Sequence, residues 1–179
     1  MRTGECLQRL RIHDIDTFRH CVRVARSLRL AAKFLDIELE VANQLVSAGL
    51  LHDIGKLDIN GEILKSPNSL NSFEKGEIRR HPRASMGVAR NLGKTELVQE
   101  LIISHHEPGY PRARTREQAH SFELARLLRL ADKVDALKSK RSYKPGFSDS
   151  VCKQLLLEEG FKGELIDLFL LLYSKGSNY

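Results

Sequence analysis

The sequence predicts an all-α protein organised as one domain over residues 1–179. Three observations predict it. Apolar residues recur at three- and four-residue spacing in segment after segment, no segment alternates apolar and polar as a half-buried strand would, and capping and turn residues punctuate the helical stretches. A chain of 179 residues, 41% of them hydrophobic, is long enough to bury most of its apolar surface in a single core. No internal repeat, low-complexity segment or linker marks a second domain.

The first predicted helix covers about residues 16–34, with Phe18, Val22, Ala25, Leu28 and Ala32 inward. Asp16 and His20, one turn apart on it, share a face. A second helix begins near Val41, where Val41, Leu45, Ala48, Leu51 and Ile54 define one buried face. It ends on the run Leu50-Leu51-His52-Asp53-Ile54-Gly55-Lys56. Gly55 is expected to stop it in the left-handed conformation. Adjacent helix positions point about 100° apart, so His52 and Asp53 can grip neighbouring metals or share a bridged pair. Residues 57–70 carry the turn signals Asn60-Gly61 and Ser66-Pro67-Asn68.

A third helix opens on Asn71, with Glu74 as its capping-box partner, and ends near His81-Pro82. Pro82 suits the first turn of a short helix that stops near Gly93. Thr95 caps the next, which has Leu97, Leu101 and Ile102 inward and delivers Ser104-His105-His106-Glu107 at its end. Pro108-Gly109-Tyr110-Pro111 then breaks the chain. A long helix over residues 117–138 carries Leu124, Leu127, Leu128, Ala131 and Val134 and turns Asp132 and Asp135 toward the core. Two C-terminal helices, residues 148–159 and 163–173, are separated by Gly160.

Lys and Arg outnumber Asp and Glu by 29 to 23, a net charge of +6 that favours anionic partners. Cys6, Cys21 and Cys152 are odd in number and in no CxxC spacing, so neither a disulfide framework nor a thiolate zinc site is indicated, and a reducing cytoplasm suits them. The N-terminus lacks the apolar core of a signal peptide. The longest apolar run, ending at Tyr173, is interrupted by Asp167 and falls short of the ~20 residues of a membrane span. A cytoplasmic protein without membrane contact is expected. Arg112-Ala113-Arg114-Thr115-Arg116 is read as a solvated loop that attracts an anionic substrate rather than as a nucleic-acid site.

Of the seven histidines, His20, His52, His81, His105 and His106 fall at or near polar ends or inner faces of predicted helices, where Asp53 and Asp132 join them. Imidazole and carboxylate without thiolate suit iron, manganese, cobalt, nickel or zinc, and favour a hard-ligand or redox-tolerant site over structural zinc. Each residue alone has an ordinary role open to it. His106 can stabilise a helix C-terminus through the dipole, His81 can be a surface residue before a proline, and Asp132 can cap or pair. Together, at the helix ends of one domain, they point to a metal centre.

The ordered motifs resemble the HD-GYP family, the bacterial branch of the HD-domain metal-dependent phosphohydrolases, over about residues 16–169. They are His52-Asp53 with Lys56, then Ile63-Leu64, Pro67, Leu70 and Glu74, then His81-Pro82, His105-His106-Glu107 and Gly109-Tyr110-Pro111. Ala131-Asp132, Asp135-Ala136-Leu137, Ser139, Arg141, Tyr143 and Lys144 follow in order.

The resemblance implies a single HD-type helical domain. It implies that His20, His52, Asp53, His81, His105, His106 and Asp132 hold two divalent ions, iron or manganese first, with nickel, cobalt and zinc as alternatives, and that Asp53 bridges them. Asp16 stands where some members use an acid to bind a third metal. Lys56, Arg141 and Lys144 would contact substrate phosphates, with Asp135 supporting that region. The implied reaction is hydrolysis of cyclic di-GMP or a related cyclic dinucleotide by metal-activated water. The alternatives are a phosphohydrolase for another nucleotide and a non-catalytic scaffold that binds signalling partners, in either case with a protein partner or a second copy.

The sequence departs from the family's pattern in four places. Pro108 alone separates Glu107 from Gly109, where several residues, glycine among them, are usual. Ser66 stands where lysine is common, Asn68 where glycine is, and Ser85 where glycine usually follows the third histidine. The short spacer bears on the substrate more than on the metals.

Overall fold

Two helices cross at Gly49, and that crossing places the first histidines. The structure, a computed structural model, describes residues 2–66, 69–107, 115–139 and 146–176, excepting the side chains of 116, 175 and 176. In it α2 (Ile15–Phe34) packs along α3 (Leu39–Leu51). A Cβ on Gly49 would sit 2.7 Å from Leu28 Cδ1 and 3.1 Å from the Ala25 backbone. A larger residue would push the helices apart and separate His20, on α2, from His52, at the end of α3.

Before α2 lies α1 (Thr3–His13), a helix the sequence reading missed. Its buried face is only Cys6 and Leu10, both fully buried, while most of the rest is polar and Ile12 is exposed. The chain turns at Asp14, whose carboxylate accepts the Thr17 N–H at 3.2 Å and caps α2. On α2 the buried face is Thr17, Cys21, Val24, Ala25, Leu28, Ala31 and Ala32. Val22, expected inward, is 41% exposed, because the true stripe runs one position away through Cys21.

After α3 the chain forms a 3-10 turn (Ile54–Asp58), so Ile54 is buried beyond the helix and not on it, and then a one-turn helix α4 (Gly61–Leu64) in the stretch where only turns are predicted. The capping box on Asn71 forms as predicted and opens α5 (Ser72–Arg79). Then come α6 (His81–Asn91), with Pro82 in its first turn, and α7 (Glu96–Ser104), capped by Thr95. The long α8 (Arg116–Lys138) packs against α2, α7 and α10, and its Leu124, Leu128, Ala131 and Val134 form the middle of the core. Helices α9 (Asp149–Glu158) and α10 (Gly163–Gly176) close the C-terminal side with Leu156, Ile166 and Phe169 buried.

Among the described residues there is no strand, as the all-α prediction requires. No helix among them is long and apolar enough to cross a membrane.

Gly55 does not act as predicted. It lies inside the 3-10 turn, and only Gly93 and Gly160 among the described glycines have positive φ. Its lack of a side chain serves close packing instead. A Cβ there would meet the His81 carbonyl oxygen at 2.5 Å, the Ser85 nitrogen at 2.6 Å and Ala84 Cβ at 2.7 Å. The Gly55 N–H donates to Ser85 Oγ at 2.8 Å in a fully buried contact. That bond gives Ser85 a physical reason: a glycine at 85 would leave the Gly55 N–H without this acceptor.

Candidate metal centre

Helix ends supply four of the site's five imidazoles, and His20 lies within α2. His52 follows the last turn of α3, His81 opens α6 and His105 follows α7. Each donates Nδ1–H to a carbonyl three residues back: Gly49 at 2.9 Å, Ile78 at 2.6 Å and Ile102 at 2.6 Å. A carbonyl can only accept, so the proton is on Nδ1 and Nε2 keeps its lone pair. In His20 the same work is done by a carboxylate, with Nδ1 2.7 Å from Asp135 Oδ2. Fixing the far nitrogen in this way sets ring orientation and basicity in metal-binding histidines.

The free nitrogens converge. His20 Nε2 lies 3.2 Å from His52 Nε2, and His106 Nε2 lies 3.2 Å from His81 Nε2. His105, with its ring centroid 5.0 Å from that of His52 and 3.9 Å from that of His106, stands between these pairs. Its Nε2 is buried with no hydrogen-bond partner. A lone pair orphaned in the core is costly unless a cation lies beside it. The donor set therefore fits divalent metal.

Asp53 spans the two halves. Its Oδ1 is 3.0 Å from His81 Nε2, while its Oδ2 is 3.6 Å from both His20 and His52 Nε2. Asp132 Oδ1 joins the second half, 3.1 Å from His20 Nε2 and 3.9 Å from His52 Nε2. Among the described residues, three groups have ligand atoms mutually within 4.8 Å: His81, His105 and His106; His20, His52 and Asp132; and Cys21, His52 and Asp53.

Electrostatics sort these groups into donors and proton holders. Burial lowers His52, and it pushes His105 and His106 down to about 4, so all three are neutral at pH 7. Asp53 is held well below the usual carboxylate range. Burial alone would raise it, but the neighbouring ammonium of Lys56 and, after it, the surrounding imidazoles outweigh that. Asp132 is lowered too, since its bond to His20 overcomes burial. His20 is the exception: burial opposes its charge, yet the bonds to Asp132 and Asp135 push it up to about 10.

If His20 ligates a metal ion, it would have to give up that proton. Below that value, affinity at the His20 half is expected to rise about tenfold per pH unit, for one proton released. Manganese titrations of metal-free protein at three pH values between 6.5 and 8.5 check it, and a flat response would contradict it. In metal-free protein the linkage runs the other way. The His20 contribution to stability is full below its unfolded value near 6.5 and is lost as pH rises through about 10. The depressed carboxylates contribute above about pH 4 and lose that contribution under acid.

The remaining predicted residues divide. Lys56 Nζ lies 2.7 Å from Asp53 Oδ2 with its side chain 21% exposed, so it borders both the bridge and the solvent. Asp135 is buried with both oxygens engaged, by His20, Arg23 and Ser139, and faces the histidine rather than an open surface. Asp16 is 81% exposed, 4.0 Å from Arg19, and belongs to none of the three groups. Arg141, Lys144, Tyr143 and Gly109-Tyr110-Pro111 lie outside the described residues.

Sequence reasoning missed Cys21 and Arg23. Cys21 sits next to His20 on the buried face, where burial pushes its thiol well above the ordinary range. Arg23 lies one turn after His20, a spacing that was visible, but its partner Asp135 is 112 residues away.

The HD domain family model matches residues 17–137, which contain every residue of the three groups. A cyclic di-GMP phosphodiesterase of Pseudomonas aeruginosa is 34% identical over 147 residues, 79% of this chain and 35% of that protein. A cyclic di-GMP phosphodiesterase of Vibrio cholerae is 30% identical over 185 residues, 90% of this chain and 37% of that protein. A 3'3'-cGAMP-specific phosphodiesterase of Vibrio cholerae is 33% identical over 154 residues, 83% and 35% of the two chains. The chain thus spans about a third of the length of these relatives. With the family match and these relatives joined to the His-Asp geometry, the chain belongs to the HD domain family, in its HD-GYP branch.

Proposed function

We propose that this chain, as one HD-type unit over residues 1–179, is a metal-dependent phosphodiesterase acting on cyclic di-GMP or a related cyclic dinucleotide. The observation that carries the proposal is the placement of Asp53, one oxygen toward His81 and the other toward His20 and His52. That arrangement suits two divalent ions sharing one carboxylate. His20, His52 and Asp132 would hold one, and His81, His105 and His106 the other. Iron or manganese fits best, because the donors are imidazole and carboxylate while burial keeps the nearby Cys21 thiol protonated. What such a pair supplies when bound is Lewis acidity, which acidifies water and neutralises charge developing on phosphoryl oxygens.

The protein's own groups do the rest. Nδ1–H bonds hold the imidazoles in one tautomer and orientation, so the donors need no rearrangement to bind. Lys56, raised by Asp53 although burial opposes it, stays an ammonium and presents positive charge at the rim, where a phosphate can meet it. Arg141 and Lys144 are proposed to add to that charge. Asp135 serves by orienting His20. The relatives' names give the substrate class: cyclic di-GMP for two and 3'3'-cGAMP for the third.

Lys56→Ala is expected to lower turnover by about a hundredfold, the scale of one lost electrostatic contact in the transition state. Bound metal should stay near the wild-type level, because an ammonium cannot ligate a cation. Elemental analysis beside kinetics checks the division, and joint loss of metal and activity would contradict it.

The short Glu107-Pro108-Gly109 connection leaves less chain to hold the nucleobases of a large substrate. Interactions with non-reacting parts position the reacting phosphate, so discrimination is expected to be weak. The test is a panel of cyclic di-GMP, 3'3'-cGAMP, a linear dinucleotide and a chromogenic bis-ester, with fully metallated protein. Metal-dependent cleavage of cyclic di-GMP together with at least one other diester supports the proposal. Cleavage of none would replace the enzyme with a scaffold.

A further inference from the structure

We infer that Arg23 is a positioning residue for the His20 half of the metal centre, acting through Asp135. This rests on the proposed metal site. Arg23 Nε donates to Asp135 Oδ1 at 2.6 Å and Nη2 donates to Oδ2 at 2.8 Å, a two-pronged bond that fixes the plane of the carboxylate. Oδ2 is the oxygen that takes His20 Nδ1 at 2.7 Å. Arg23 Nη2 also donates to Ser139 Oγ at 3.0 Å, and that hydroxyl donates to Oδ2 at 3.1 Å. Guanidinium, carboxylate and hydroxyl thus form a closed ring on the side of His20 facing away from the metal ligands.

His20 needs this more than its neighbours do. His52, His81 and His105 are oriented by backbone carbonyls of their own turns, which local folding fixes. His20 sits within α2, where the i−4 carbonyls are already used by the helix, and is oriented by a carboxylate on α8. A carboxylate can rotate about its side-chain torsions, whereas a helix carbonyl cannot. The planar fork of Arg23 removes that freedom, and a lysine, with a single point of charge, cannot hold both oxygens.

The Asp135 side chain is 3% exposed, while that of Arg23 is 36% exposed at the outer end of the ring. Removing Arg23 therefore leaves the packing around Asp135 in place but frees its torsion. Partners one step behind a metal-binding histidine typically change affinity by about 10- to 100-fold, and a group one step further is expected at the lower end.

The test is calorimetric titration of metal-free full chain with manganese, using wild type, Arg23→Gln and Arg23→Lys, with His106→Ala to mark the phase belonging to the other half. Arg23→Gln is expected to weaken only the His20-half phase by about tenfold, with Arg23→Lys between it and wild type. Equal weakening of both phases would overturn the inference in favour of a general structural role. Wild-type affinity in both phases would overturn it outright while leaving the proposed function standing. A wild-type chain that binds no manganese, iron, cobalt, nickel or zinc would remove the metal site itself and the inference with it. If Arg23→Gln does not fold, Arg23→Lys decides alone: a selective shift of the same phase supports the inference and an unchanged isotherm rejects it.

Discussion

Asp53→Ala is expected to abolish turnover, lowering kcat by about a thousandfold or more, the several kcal/mol that metal-stabilised charge contributes in such reactions. Asp53 is the only residue in the three groups whose two carboxylate oxygens approach imidazoles of both halves. Without it, two cations would face each other with no shared anion, and at least one site should empty. Lys56 would also lose its 2.7 Å partner and His81 its 3.0 Å partner. Elemental analysis of the variant should show at least one equivalent fewer than wild type. Unchanged stoichiometry would refute the bridging role, whatever the kinetics.

Gly55→Ala is expected to have the largest effect on stability of any single methyl addition near the site. The added Cβ would meet α6 backbone at 2.5 and 2.6 Å, and backbone cannot move aside as a side-chain end can. Overpacking of this kind costs about 1–3 kcal/mol. The displaced segment carries His81, so metal in the His81, His105 and His106 half should fall as well. Gly76→Ala is the control: nothing lies within 4 Å of its Cβ position, and within α5 it should gain about 0.5–1 kcal/mol from the lower entropy of alanine. Urea denaturation of the two metal-free variants should move in opposite directions. A Gly55→Ala protein as stable as wild type would show that α6 shifts freely, and with it that His81 is loosely held.

These residues also show how far the sequence could be read. Four of the candidate histidines, His52, His81, His105 and His106, were legible because they lie at helix ends, and helix ends announce themselves through capping residues, prolines and the loss of apolar period. Asn71, Pro82 and Thr95 all did so. The stop at Gly55 was misread for a physical reason. Glycine after an apolar helix fits a left-handed terminus and a close approach equally well, and only the position of α6 separates them. Ser85 was opaque for the same reason, since its partner is a backbone N–H thirty residues away. The helix Thr3–His13 was missed because two buried positions, Cys6 and Leu10, make too short a stripe to stand out against nine other residues that are mostly polar. Asp135 was read as turned toward the core and supporting the substrate region, but its bonds to His20 and Arg23 were not legible, because a helical period gives a residue's face and not the atom it meets across the core.

The central claim is that the two imidazole-carboxylate groups joined by Asp53 hold a divalent pair that hydrolyses a cyclic dinucleotide. The most direct test is the rate of cyclic di-GMP hydrolysis as manganese or ferrous iron is added anaerobically to metal-free protein. The account predicts no hydrolysis without metal, a rate that saturates near two bound equivalents per chain, and reversal by a chelator. Protein carrying two equivalents that leaves cyclic di-GMP intact, or hydrolysis that proceeds undiminished after the metal is removed, would contradict it.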